Sequence, residues 1–446
     1  MKKLLFISLI VLLLPMNIQA AEDLPFSAGI CVNKANVLIQ NEKIDQAIIV
    51  LEEFAQKGYG VDKDVAAKKG YDHFYIDFLL GNCFLMLDQR GDDPALVKKA
   101  AQAYERAVGK EPDLSAGWLN LAKCRYELMQ MEKAANAFIK GYETGDEKKP
   151  SNLYYASVCH TLADNFEPAL LVFQNLMTAH PGEVLLEWKQ TLVNIYFSLK
   201  KNKQALPWIQ ELAEKCKGEQ KKKWQEILLY QYLTLEMDQK ALGYAKFLTG
   251  IDPCEPKWWK ALTHIYLGKD NLEQGLVSLM IYSFITPLSQ QETTLMADLY
   301  MACNIPLTAA QHYEKWIEQA PDQIKDDIMD KIRKISNAYR AGCEQGPALE
   351  WIEKGLAMKM DPDLLRTKAD LQFQKKNYTS AFNTYEQLTQ FEKQKGFGFL
   401  MMGYSAWNEG MTLKAFNAFT AASKYQKHKK EAQKALTHLQ LFSEAQ

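Results

Sequence analysis

The stretch WKALTHIYLGKDNLEQGLVSLMIYSFITP, residues Trp259 to Pro287, decides how the rest of the chain is read. Large residues stand at Trp259, Leu262 and Tyr266, a small one at Gly275, an apolar one at Leu279 and a proline at Pro287. Their spacing is W-x2-L-x3-Y-x8-G-x3-L-x7-P. Steps of three and four put Trp259, Leu262 and Tyr266 on one face of a first helix, and Gly275 and Leu279 on one face of a second. Two such helices folded back on each other approach most closely where a side chain is small. The proline ends the second helix, because it has no N–H to continue the ladder.

The pattern recurs in both directions. Downstream it is Met296, Ala297, Tyr300, Ala309, Tyr313 and Pro321. Upstream it is Leu228, Tyr232, Ala241, Ala245 and Pro253, preceded by Leu192, Tyr196, Ala205 and Ile209. The small residue that opens the second helix stands at Ala47, Ala100, Ala134, Ala169, Ala205, Ala241, Gly275, Ala309, Ala348, Ala381 and Ala415. The intervals are 53, 34, 35, 36, 36, 34, 34, 39, 33 and 34 residues, which makes eleven units between Ser27 and Tyr425. Pro112, Pro181, Pro253, Pro287 and Pro321 each fall just past a second helix. One helix pair cannot bury its apolar face alone, so neighbours stack and the core runs along the array.

This series resembles the tetratricopeptide (TPR) repeat, whose 34-residue unit carries the same order of large, small and proline positions. The resemblance implies an all-α TPR α-solenoid, a right-handed superhelix of about eleven helix pairs over residues 21–428. A C-terminal capping helix over residues 429–446 follows, with Ala432, Ala435, Leu436, Leu439 and Leu441 as its apolar stripe. Two intervals depart from the period. In the first, Gly58 to Gly70 is expected to lengthen a loop between units, and Arg90 to Val97 to separate the two helices of the second unit. In the other, Ile324 to Lys331 is expected to be a longer loop or an extended first helix.

The start of the chain reads as an export signal. Lys2 and Lys3 precede an apolar run from Leu4 to Leu14, Pro15 breaks it, and Ile18-Gln19-Ala20 ends on a small residue. The run is too short to span a hydrocarbon core of about 30 Å. Cleavage after Ala20 is expected. Ala21 follows, so no cysteine is placed to accept a lipid, and the mature chain is expected to be a soluble periplasmic protein. The chain has 53 Lys plus Arg against 54 Asp plus Glu and a net charge of −1. That balance offers no general attraction for nucleic acid or an acidic membrane.

Chemistry is sparse. Cys83, Cys124 and Cys159 share one position of the first helix in three successive units. Stacked helices lie roughly 10 Å apart, beyond the roughly 7 Å Cα separation a disulfide tolerates. They read as small buried hydrophobes. Cys216 with Cys254, and Cys303 with Cys343, remain open as pairs. There is no C-x-x-C, H-E-x-x-H, G-x-S-x-G or Walker-type glycine loop. Gly396 and Gly398 in KGFGF read as a turn. No catalytic residue, metal or cofactor is assigned. Lys200, Lys201, Lys203, Lys215, Lys217 and Lys221 to Lys223 form a basic stretch that reads as a solvated turn or as a docking patch.

In TPR proteins the inner surface is lined by first-helix residues facing away from the Leu/Tyr packing. By that resemblance Lys260 and His264 point inward in one unit, then Arg333, Asn337 and Arg340 two units later. Arg366 and Asp370 follow, then Tyr404 and Trp407. Arg333 and Asn337 have the spacing of a carboxylate clamp, but Asp363 and Thr367 stand where the next unit needs its partners. The expectation is a partner-binding groove with a cationic stripe and no complete clamp.

A narrower resemblance rests on LYYASV (Leu153 to Val158), EPKWWKALTHIYL (Glu255 to Leu267), IYSFITPL (Ile281 to Leu288) and ADLYMACNIPLTAA (Ala297 to Ala310). These phrases look like exported TPR proteins of Gram-negative bacteria that accompany TonB–ExbB–ExbD systems. The implied role is a periplasmic scaffold accessory to energy-transducing uptake. Its partners would be proteins, TonB, ExbB or ExbD among them, with peripheral contact to membrane complexes and no nucleic acid. An assembly factor for outer-membrane, pilus or polysaccharide-export machinery stays open, as does an enzyme with a site grafted into the groove.

Overall fold

A computed structural model of the chain describes residues 24–88, 93–319 and 325–444. Residues 1–20, expected to be an export signal, and Arg90 to Asp92, Pro321 and Ile324 lie outside them. Among the described residues there are 24 helices and no strand, an all-α solenoid. Eleven pairs of a first (A) and second (B) helix follow one another along the chain. They begin with α1 (Phe26–Gln40) and α2 (Ile44–Gln56), then, after the short α3 (Lys63–Lys69), α4 (Phe74–Leu87) and α5 (Pro94–Lys110). Next come α6 (Ser115–Glu127) and α7 (Met131–Thr144), α8 (Pro150–Leu162) and α9 (Phe166–Ala179), and α10 (Leu186–Ser198) and α11 (Asn202–Lys215). The sixth pair is α12 (Gly218–Thr234) and α13 (Asp238–Ile251), the seventh α14 (Pro256–Leu267) and α15 (Leu272–Ile285). Then stand α16 (Gln290–Ala302) and α17 (Pro306–Gln319), α18 (Lys325–Ala341) and α19 (Gln345–Met358). Last are α20 (Pro362–Gln374) and α21 (Tyr378–Leu388), α22 (Lys395–Asn408) and α23 (Thr412–Ala422), and the single α24 (Lys429–Glu444). Contacts divide the chain into an N-terminal body ending at Glu236 and a C-terminal body beginning at Met237.

The small-residue series sets the packing. All ten alanines of the series, from Ala47 to Ala415, are fully buried. At Gly275 an added Cβ would lie 2.8 Å from Leu267 Cδ2 of the paired helix, so nothing larger fits without moving that leucine. One turn further on, the same face carries Leu51, Tyr104, Phe138, Phe173, Ile209, Ala245, Leu279, Tyr313, Ile352, Tyr385 and Phe419, all buried. The tryptophan that opens some A helices has a second task. Trp118 Nε1 donates to the Pro112 carbonyl at 2.8 Å, and Trp259 Nε1 donates to that of Pro253 at 2.8 Å. Each thereby ties its helix to the proline that closed the preceding unit.

The A–B turn is equally uniform. Five residues before the small position the backbone has positive φ at Glu42, Met129, Asp164, Lys200, Glu236, Asp270, Asn304, Cys343, Lys376 and Gly410. The N–H of the next residue then bonds to the carbonyl five residues back. Lys201 donates to Tyr196 O at 2.8 Å, Asn271 to Tyr266 O at 3.0 Å and Ile305 to Tyr300 O at 2.8 Å. This is the Schellman closure of a helix C-terminus. Only Gly410 adopts that conformation without a Cβ penalty.

Three expectations about local structure are corrected. Gly58 to Gly70 holds the helix α3, which starts at the Asp62 cap and ends on Gly70 at φ +71°. The second helix of repeat two begins within Arg90 to Val97: Asp93 accepts from Ala95 N at 2.8 Å, and Pro94 takes the first helical position. Gly396 and Gly398 lie in the first turn of α22, not in a turn between helices. Helix α18, at 17 residues, is the extended first helix of the 39-residue interval. Cys83, Cys124 and Cys159 are buried, and desolvation pushes each thiol up to about 12. All eight cysteines are free thiols.

Replacing Met129 with glycine should raise the melting temperature, because relief of positive φ is worth up to about 1 kcal/mol after glycine's entropy cost. Gly410→Val should cost about 1–2 kcal/mol in the same denaturation experiment. If both melts match the parent, the turn is not strained. Ala309→Trp should destabilise by about 1–3 kcal/mol or more by overpacking the helix contact; an unchanged melt would rule out this close approach.

Candidate functional site

Four A helices of the C-terminal body, α14, α18, α20 and α22, carry all eight candidate residues. Lys260 and His264 are on α14, Arg333, Asn337 and Arg340 on α18, Arg366 on α20, and Tyr404 and Trp407 on α22. The structure places four of them, Lys260, Arg333, Arg366 and Tyr404, as links from an A helix to the next A helix or to α24. Lys260 Nζ lies 2.9 Å from Glu292 Oε1 of α16. Arg333 Nη1 donates to Asp361 Oδ2 at 2.8 Å, and Asp361 is the buried cap of α20, also accepting from the N–H groups of Asp363 and Leu364. Arg366 stacks its guanidinium 4.1 Å from the centroid of the Phe397 ring on α22 and lies 3.9 Å from Asp370. Tyr404 donates to Glu431 Oε1 of α24 at 3.2 Å. Tyr404 and Trp407 both pack edge-on against Phe419.

The cationic stripe is therefore largely neutralised by acids of the same body. His264, Asn337 and Arg340 stand exposed on the A-helix face, with Arg340 Nη2 3.4 Å from Asn337 Oδ1.

Glu292 shows how such a link is built. Ser289 and Glu292 form a capping box: Glu292 N donates to Ser289 Oγ at 3.3 Å, and Ser289 N donates to Glu292 Oε2 at 2.8 Å. Burial alone would raise this carboxyl. Lys260 and the Ser289 donors outweigh burial and hold it at about 2. For Tyr404, burial and then the Glu431 charge push the hydroxyl up to about 12.

Two site residues on the intervening repeat escaped the sequence reading. Asp298 of α16 accepts from Lys334 Nζ of α18 at 2.8 Å and from the Tyr313 hydroxyl. Thr294 stands one turn before it. The signal was present: Thr294 and Asp298 lie 34 residues after Lys260 and His264.

The basic stretch belongs to the N-terminal body. Lys201 pairs with Glu167 at 3.0 Å and Lys215 with Glu211 at 2.8 Å. Lys221 to Lys223 are in the first turns of α12, which corrects the expectation of a turn. Among the described residues no group of three or more His, Cys, Asp or Glu side chains could hold a metal ion.

No protein-family model and no curated protein sequence matches the chain. Solved structures that align with it include Naa15/Naa10 bound to HypK-THB, with a TM-score of 0.42 and 13% identity over 96% of this chain and 76% of that one. YrrB, described as a TPR protein with an unusual peptide-binding site, aligns with a TM-score of 0.32 and 20% identity over 43% and 96% of the two chains. A tetratricopeptide repeat protein from Parabacteroides merdae aligns with a TM-score of 0.30 and 11% identity over 69% and 98%. At these values none of them bears on ligand or activity.

Because the folded pKa of Glu292 is lowered, its contribution to stability is complete above the ordinary carboxylate range and is lost as pH falls toward about 2. Lys260→Met should move the Glu292 titration upward in a carboxyl NMR experiment. The Lys260 side chain is 51% exposed, so the stability change at pH 7 should stay below about 1 kcal/mol. A Glu292 titration unmoved by the substitution would show that the capping box alone holds the carboxylate.

Proposed function

We propose that this protein is an exported scaffold that holds a protein partner on the A-helix face of its C-terminal body, as an accessory of a TonB-type energy-transducing uptake system. The observation that carries the binding role is the run of cross-links Lys260–Glu292, Lys334–Asp298, Arg333–Asp361 and Tyr404–Glu431. They join α14 to α16, α16 to α18, α18 to α20 and α22 to α24, and leave His264, Asn337 and Arg340 exposed. A face fixed in this way loses little freedom when a segment docks on it, which favours binding. Export is supported by the residues Lys2, Lys3, Leu4 to Leu14 and Ala20. The uptake role rests on the phrases at Glu255 to Leu267 and Ala297 to Ala310. No helix among the described residues is long and apolar enough to cross a membrane, so contact with a membrane complex would run through protein.

Mass spectrometry of the protein recovered from its own cell envelope should give an N-terminus at Ala21; an intact Met1 overturns export. Titration calorimetry of the mature chain against the purified periplasmic domains of TonB and ExbD should show saturable binding to at least one. Changing His264, Asn337 and Arg340 together to Glu should weaken that complex about ten-fold or more, with the melt of the variant unchanged within about 0.5 kcal/mol. Heat signals absent for both domains would remove the uptake role. Binding indifferent to the triple substitution would move the docking surface off this face.

A further inference from the structure

Helix α1 has the composition of a helix from the middle of the array but, among the described residues, neighbours on one side only. An A helix inside the stack is apolar all round because it is covered all round. Ile76, Phe78, Leu79, Leu80, Cys83 and Phe84 of α4 are buried in this way, and Asp77 is the one charged residue of that helix. Helix α1 is as poor in charge, with Lys34 alone. It packs on α2, α3 and α4, and Ala28, Cys31, Val32 and Ala35 are buried. Its other side is open. Phe26 is 84% exposed, Ile30 57% and Val37 51%, and Asn33 stands exposed between them. By helical geometry these four fall within an arc of about 60°, opposite the buried residues.

The last helix is built differently. Lys429, Lys430, Gln433, Lys434 and His438 of α24 are exposed, which is the polar outer face a terminal element needs. An apolar stripe in that position, rimmed by polar residues, is the mark of a contact surface. The stretch ahead of α1 is too short to cover it. Cleavage after Ala20 leaves Ala21, Glu22 and Asp23 before Leu24. Three residues reach about 10 Å when extended, against a helix about 22 Å long, and two of them are acids.

We propose that a second copy of this chain covers α1, with the two α1 helices packed antiparallel about a two-fold axis. The exposed positions 26, 30, 33 and 37 are spaced four, three and four, so the series reads the same in reverse. An antiparallel copy therefore sets Phe26 beside Val37 of the other chain and Ile30 beside Asn33. Every contact occurs twice, as an isologous interface requires. The two Asn33 amides meet near the axis, where one donates to the other and fixes the register, as a buried asparagine does in a coiled coil. Gly29 lies on the Asn33 side of the stripe, and an added Cβ there would meet nothing within 4 Å. That space takes the Asn33 amide of the other copy. Lys34 lies on the opposite flank and keeps its ammonium in water. One pair of 15-residue helices is a small contact, so the dimer is expected to dissociate in the micromolar range. The pairing belongs to the N-terminal body and is independent of the partner face; it shares with the export reading only the N-terminus at Ala21.

Sedimentation velocity of the chain recovered from its cell envelope, over about 1–100 µM, should show a monomer–dimer equilibrium. Added salt should not weaken it, because apolar contact rather than charge carries the association. Ile30→Glu should raise the dissociation constant about ten-fold or more. Phe26→Lys and Val37→Glu should each do the same alone, and an equimolar mixture of the two should associate again, since the antiparallel register brings the substituted positions together with opposite charges. All three positions are exposed, so melts of the dilute variants should match the parent. A parent chain that stays monomeric overturns the proposal, as does a dimer unweakened in Ile30→Glu. A mixture that fails to associate overturns the antiparallel pairing. Mass spectrometry of the sedimented sample separates this from export. A monomer that begins at Ala21 overturns the pairing and leaves export standing, whereas a monomer that keeps Met1 overturns both.

Discussion

The close approach of two helix backbones at one small side chain is the constraint on which this molecule depends. With Ala or Gly in that position, the A and B helices pack near enough for the next turn's Tyr104, Phe173, Tyr313 or Phe419 to be fully enclosed. With anything larger, the pair opens and its partner repeats lose their footing. The period of the sequence is the period of that contact. Because a single pair exposes the other side of its apolar face, each contact is also a demand for a neighbour, and at the end of the C-terminal body α24 meets it with Ala432, Ala435 and Leu439.

The turn geometry follows from the same contact. To return the chain within a few residues, the A helix ends on a residue with positive φ, and the hydrogen bond to the carbonyl five residues back, at Tyr196, Tyr266, Tyr300 or Tyr339, fixes where the B helix begins. Nine of these residues are not glycine. Their strain is tolerated because the small-residue contact and the turn over-determine each other. Tyr slots thus serve twice, once through the ring in the core and once through the backbone in the turn.

The helix pairs were legible in the sequence because small and large residues at fixed offsets survive without knowledge of neighbours. Gly58 to Gly70 was not legible as a helix: seven residues between an aspartate cap and a glycine carry too few apolar positions to show a period. KGFGF misled for a different reason. Two glycines usually mark a turn, but Gly396 and Gly398 lie where Tyr425 and Thr389 press against the helix, 2.8 and 2.9 Å from an added Cβ. The candidate face was half legible. Offsets correctly placed Lys260, Arg333 and Arg366 on A helices, yet whether a cation faces solvent or an acid on the next repeat depends on side-chain reach across helices. Glu292, Asp361 and Asp298 settle that, and no spacing within one repeat encodes them. Thr294 and Asp298 needed only the period already in hand.

Repeat two shows what the array can absorb. Its B helix starts from Asp93 and Pro94 and buries Ala100 and Tyr104 as the other repeats bury theirs. The length of the A–B connection is therefore decoupled from the packing it joins, and closing a longer loop adds little entropy, about 0.6 kcal/mol for each doubling. For anyone handling the protein, the junction between Asp88 and Asp93 is a splice point. An epitope or a fluorogen-binding peptide inserted there falls between α4 and α5 and can report where the chain travels in the cell.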